Sequence, residues 1–70
     1  MNPTMYRVER LNWAGERVVE TVEIRETFEG NYFAAALASM GCGKAADSPE
    51  GAIRQLCNNH GRYIDSELVE

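Results

Sequence analysis

The hydrophobic and polar positions along the chain form short alternating runs, followed by one stretch of helical period. Tyr6-Arg7-Val8-Glu9-Arg10-Leu11 alternates apolar and charged residues, the mark of a half-buried strand. The alternation slips at Leu11, which predicts a bulge or a strand end there. Asn12-Trp13-Ala14-Gly15-Glu16 follows, and its Asn and Gly suit a short hairpin loop. Arg17 to Arg25, RVVETVEIR, is the clearest strand of the chain. Val18, Val22 and Ile24 share one parity, with Glu20 the exception among them, while Val19, Thr21, Glu23 and Arg25 share the other. β-Branched residues dominate the run, as a pleated half-buried surface favours.

Glu26 to Asn31 reads as a second turn, with Gly30-Asn31 able to supply positive φ. Residues 32–38, YFAAALA, admit a helix on alanine propensity alone. Flanking glycine turns, short length and the lack of an N-cap favour a strand instead. That strand puts Tyr32, Ala34 and Ala36 on one side and Phe33, Ala35 and Leu37 on the other, and an alanine-lined face leaves room for a helix. Ser39 to Gly43 reads as a turn, with Lys44-Ala45-Ala46 as a brief return strand.

The helix start has the best local signal. Ser48 suits the N-cap with Pro49 at the first helical position; alternatively, Asp47 caps and Glu50 closes a capping box. Ala52, Ile53 and Leu56, with Cys57 or His60, then recur at helical spacing and form one apolar face. Gly61 stands where a left-handed cap is expected. Arg62 to Asp65 allows a short edge strand, and residues 1–4 and 66–70 are expected to be loose. The predicted fold is a single α+β domain over residues 1–70: a three- or four-stranded antiparallel sheet, with one helix packed on one face and room for a final short strand.

Seventy residues bound the core, because a chain of this size buries only about 60% of its unfolded surface. Hydrophobic content of 44% with 26% charge is that of a folded protein rather than a disordered one. Eleven acidic against seven basic residues give a net charge of −4, and Lys44 with the scattered arginines makes no basic patch. Direct nucleic-acid binding is therefore not expected, since gripping phosphates needs clustered Lys and Arg. No apolar run approaches the ~20 residues of a membrane-spanning helix. MNPTMYRVER lacks the apolar core of a signal peptide, so a cytoplasmic protein with Cys42 and Cys57 as reduced thiols is expected.

Candidate chemistry is sparse. His60 is the one histidine and the cysteines lack Cys-x-x-Cys spacing, so neither a metal site nor any other cofactor is expected. A nucleophile, base and orienting group cannot be assembled around His60 from the sequence, and Gly41-Cys42-Gly43 is too short for a nucleotide loop. No enzymatic activity is expected.

Residues 29–56 resemble the HicB-like antitoxin domain. Gly30-Asn31-Tyr32-Phe33-Ala34 matches its strand entry, Gly41-Cys42 its turn, and Asp47-Ser48-Pro49-Glu50 with Ala52 its helix entry. Gly51 replaces the usual second Glu of that pattern, and Ala38-Ser39-Met40 stands where a Pro-containing loop is usual. The resemblance implies a truncated ribonuclease-H-like sheet with one helix across it, and an antitoxin role. The separate DNA-binding segment of that family is not expected within residues 61–70. Ribonuclease-H-like catalysis would need several carboxylates gathered at the sheet, and Glu20 alone lies on the predicted inward face of its strand.

What remains is surface. Glu16, Glu20, Glu23, Glu26 and Glu29 form an acidic ridge along the second strand and its turn, facing a protein partner with a basic surface. Trp13, at a hairpin tip, is the second candidate contact. The expected function is a non-catalytic, stoichiometric inhibitor or neutraliser of antitoxin type. A phage-encoded, anti-CRISPR-like protein that blocks a nucleic-acid-binding surface is one alternative. A structural module that forms a homodimer through a sheet edge is another.

Overall fold

The structure, a computed structural model, describes residues 4–69. Its elements are β1 (Thr4–Leu11), β2 (Arg17–Glu26), β3 (Tyr32–Ala36), β4 (Gly41–Cys42), α1 (Pro49–Asn58) and β5 (Arg62–Val69). The strands make one antiparallel sheet in the order β4-β3-β2-β1-β5. Three successive hairpins lay β1 to β4 side by side. The helix then carries the chain back across the sheet, and β5 joins the far edge beside β1. The fold is α+β, as the patterning predicts.

Local chemistry sets the two long hairpins. In the first loop Asn12 Oδ1 accepts from the backbone N–H of Ala14 at 3.0 Å and of Glu16 at 2.9 Å. In the second, Thr27 Oγ1 accepts from the Asn31 N–H at 3.1 Å, and Gly30 adopts φ +82°. The helix opens on Ser48, whose Oγ accepts from the Gly51 N–H at 3.1 Å, with Pro49 at the first helical position. Of the two predicted caps, Ser48 is the one used. No capping box forms, because the residue three places on is Gly51 rather than an acid.

The helix covers one face of the sheet. Val8, Val22, Ile24, Ala34 and Ala36 point up from the strands against Ala52, Ile53, Leu56 and Cys57, with Met40 closing one side. Ala34 and Ala36 are the small side chains that let α1 lie close to β3. The opposite face carries no helix. Alternation places Arg7, Glu9, Val19, Thr21 and Glu23 there, with ion pairs Arg7–Glu67, Arg17–Glu9 and Arg25–Glu23. Exposed pairs of this kind contribute at most about 1 kcal/mol each.

Three differences from the predicted elements have physical causes. Gly41-Cys42, expected within a turn, is strand β4, paired with Ala36 and Ala35. The reversal comes earlier, where the N–H groups of Ser39 and Met40 both donate to Ala36 O. The predicted return strand at Lys44–Ala46 shrinks to a single bridge between Ala46 and Tyr32. The final edge strand allowed at Arg62–Asp65 is present and longer than expected: residues 66–69, expected to be loose, complete an eight-residue β5, the fifth strand of the sheet. Pairing with β1 orders them. Thr4, also expected to be loose, begins β1. The expected loose ends at 1–3 and 70 lie outside the described residues.

Candidate functional site

The candidate contacts do not converge on one patch. Trp13 is 77% exposed at the tip of the first hairpin, on the loop that Asn12 ties down, and Glu16 closes the same loop in solvent. Glu26 and Glu29 are exposed at the far end of β2, beside the fully exposed Phe28. Roughly 30 Å of strand separates the two groups, at about 3.3 Å per residue. Glu23 lies between them on the uncovered face and pairs with Arg25 at 2.6 Å.

Glu20 is not part of an exposed ridge. It points to the helix-covered side, where its Oε2 accepts from Arg10 Nε at 2.9 Å and its Oε1 accepts from Ser39 Oγ. Arg10 also donates to the His60 carbonyl at 3.2 Å, just past the end of α1. The pair is largely shielded, with the side chains 8% and 16% exposed. A buried guanidinium needs a carboxylate nearby, and Glu20 answers that need from the next strand. The break in the apolar parity of β2 at Glu20 is its sequence signature.

No reactive constellation appears among the described residues. No group of three or more His, Cys, Asp or Glu side chains gathers there. Cys57 is buried between helix and sheet; burial pushes its thiol up to about 11, Arg10 opposing the rise and Glu20 adding to it. A thiol held protonated is a poor nucleophile at neutral pH. Tyr6 is also pushed above the usual phenol range, first by burial and then by Glu50 and Tyr32. Cys42 is exposed and free.

The sequence reading missed a groove beside β2. Because β3 ends at Ala36, it pairs only with Glu23–Glu26, whereas β1 runs alongside β2 from Arg17 to Ile24. Beside the remaining stretch lies a groove of about 510 Å³, lined by Met5, Val18, Ala35 and Leu37 with Glu20 and Glu23. The run YFAAALA carries no breaker after Ala36, so its composition does not reveal where the strand stops.

No family model matches the chain, no curated protein matches it, and no solved structure matches it. No helix of the described residues is long and apolar enough to cross a membrane.

Proposed function

We propose that the protein is a non-catalytic binding module that inhibits or neutralises a protein target by occupying its surface, in the manner of an antitoxin. The observation that carries this reading is the display of Trp13, 77% exposed, on a loop fixed by two hydrogen bonds to Asn12. An indole presented on an ordered loop loses little entropy on docking, and Trp is enriched among interface anchors. Glu16 beside it, Glu26 and Glu29 at the other end of β2, and the net charge of −4 favour a partner with a basic surface. The resemblance of residues 29–56 to the HicB-like antitoxin domain supports the antitoxin form, acting in the cytoplasm with reduced thiols. Blocking a nucleic-acid-binding surface, as an anti-CRISPR-like phage protein does, uses the same chemistry. Trp13→Ala leaves the core intact and tests the reading: it is expected to abolish capture of the partner from source cells, and unchanged capture contradicts it.

A second reading, homodimerisation, is favoured by the free outer edge of β5, where Ile64, Leu68 and Val69 are all exposed. Sizing of the purified protein separates the two, since a salt-insensitive dimer with no partner supports only the second.

A further inference from the structure

The two long hairpins close on the same turn, and each sets an aromatic side chain at its tip. In the first, the Gly15 N–H donates to Asn12 O at 3.0 Å and the Asn12 N–H to Glu16 O at 2.9 Å. In the second, the Gly30 N–H donates to Thr27 O at 3.1 Å and the Thr27 N–H to Asn31 O at 2.8 Å. Gly15 and Gly30 share φ +82°, and Asn12 Oδ1 and Thr27 Oγ1 each accept from the N–H four residues on. Trp13 and Phe28 therefore hold the same place, the first of three loop residues. A turn of this kind accepts most residues there, so neither aromatic is needed to close its loop. Neither packs on the core: Trp13 is 77% exposed and Phe28 wholly so.

We propose that Phe28 is a second binding anchor, equivalent to Trp13, and that both seat in apolar pockets on one partner with a basic surface; the proposal rests on the protein-binding reading above. A ring on a loop fixed by three hydrogen bonds loses little freedom on docking. The charge beside it is free. Among the described residues the ion pairs take up Glu9, Glu20, Glu23 and Glu67, and none of them involves Glu26 or Glu29. These two carboxylates flank Phe28 in the chain, so a pocket rimmed by Lys or Arg fits the tip better than an acidic one. A second copy offers no such rim. Its arginines 7, 10, 17 and 25 are already paired, and Arg54 lies over the Tyr63 ring at 5.3 Å. The span sets the shape of the partner site. Five strands about 4.8 Å apart cover roughly 19 Å, so the 36 Å dimension of the molecule runs along the strands, from one tip to the other. A single partner that meets both tips is a trough that takes the sheet lengthwise.

The test is a calorimetric titration of the partner captured by the wild-type protein and then purified. Phe28→Ala is expected to weaken binding about tenfold or more, as Trp13→Ala is, and the double variant about a hundredfold or more. Phe28→Tyr, which keeps a ring, should stay within about threefold of wild type. An amide spectrum unchanged outside residues 27–31 shows that each Phe28 variant is folded. Equal affinity of Phe28→Ala and wild type overturns the second anchor, and a weakened Trp13→Ala then leaves the protein-binding reading standing. Two partner molecules per protein, falling to one in Phe28→Ala, overturn the single trough. No saturable heat from wild type overturns both this proposal and the reading it rests on.

Discussion

The Arg10 guanidinium and the Glu20 carboxylate meet at 2.9 Å on the helix-covered side of the sheet, one on each strand of the first hairpin. Arg10 reaches on to the His60 carbonyl, so a sheet cation also complements the negative end of α1, whose last turn holds no basic residue. Glu20→Ala strands that cation, and breaking a buried pair from one side costs about 3 kcal/mol, readable as a lower midpoint in urea denaturation. The double replacement Arg10→Met with Glu20→Leu should recover most of the loss. Glu26→Lys, at an exposed strand end, should change stability by about 0.5 kcal/mol or less.

Gly61 sets the entry to β5. Its φ is +143°, and a Cβ there would lie 1.8 Å from the Leu11 carbonyl oxygen, a clash with backbone that no rotamer relieves. Gly61→Ala is expected to cost about 2 kcal/mol or more and to loosen β5 from β1. Thermal denaturation reads the first effect and amide exchange at residues 62–69 the second. A melting point equal to wild type contradicts this role.

Cys57 gives stability an alkaline dependence. Its folded thiol is pushed up to about 11 from an ordinary value of 9.0. Between these values the unfolded chain has released a proton that the folded chain still holds, so stability is complete below pH 9 and falls as the pH rises toward about 11. Tyr6, shifted in the same direction, adds to the loss at the upper end. Cys57→Ala should flatten the decline just above pH 9, which chemical denaturation across that range measures. Thiol labelling provides a companion check: exposed Cys42 should react at once and buried Cys57 only on unfolding.

Much of the fold is legible in the sequence because its signals are local. The alternation of RVVETVEIR gives β2, the Asn and Gly of residues 12–16 and 27–31 give the loops, and Ser48-Pro49 gives the helix start. What escapes is set by partners far along the chain. Two residues, Gly41-Cys42, become a strand only because Ala35 and Ala36 lie beside them. Strand β5 hides its period: the register shifts opposite Glu9 and Arg10, leaving Ile64 as an extra residue that breaks the alternation of RYIDSELV. The acidic ridge fails at Glu20 for a related reason. Charge along a strand is visible in sequence, but the buried Arg10 that claims this carboxylate is a tertiary fact.

The most direct measurement is a calorimetric titration of the captured partner with wild-type protein, with Trp13→Ala, and with Glu26→Lys combined with Glu29→Lys. Wild type is expected to bind at one-to-one stoichiometry. Trp13→Ala should weaken binding at least tenfold, in line with the roughly 2 kcal/mol or more that an interface anchor contributes. The charge-reversed form should bind more weakly at low salt and approach wild type as salt rises. The absence of a saturable heat with wild type, or equal affinity for all three proteins, would contradict a module that works by docking Trp13 and its acidic flank on a basic partner.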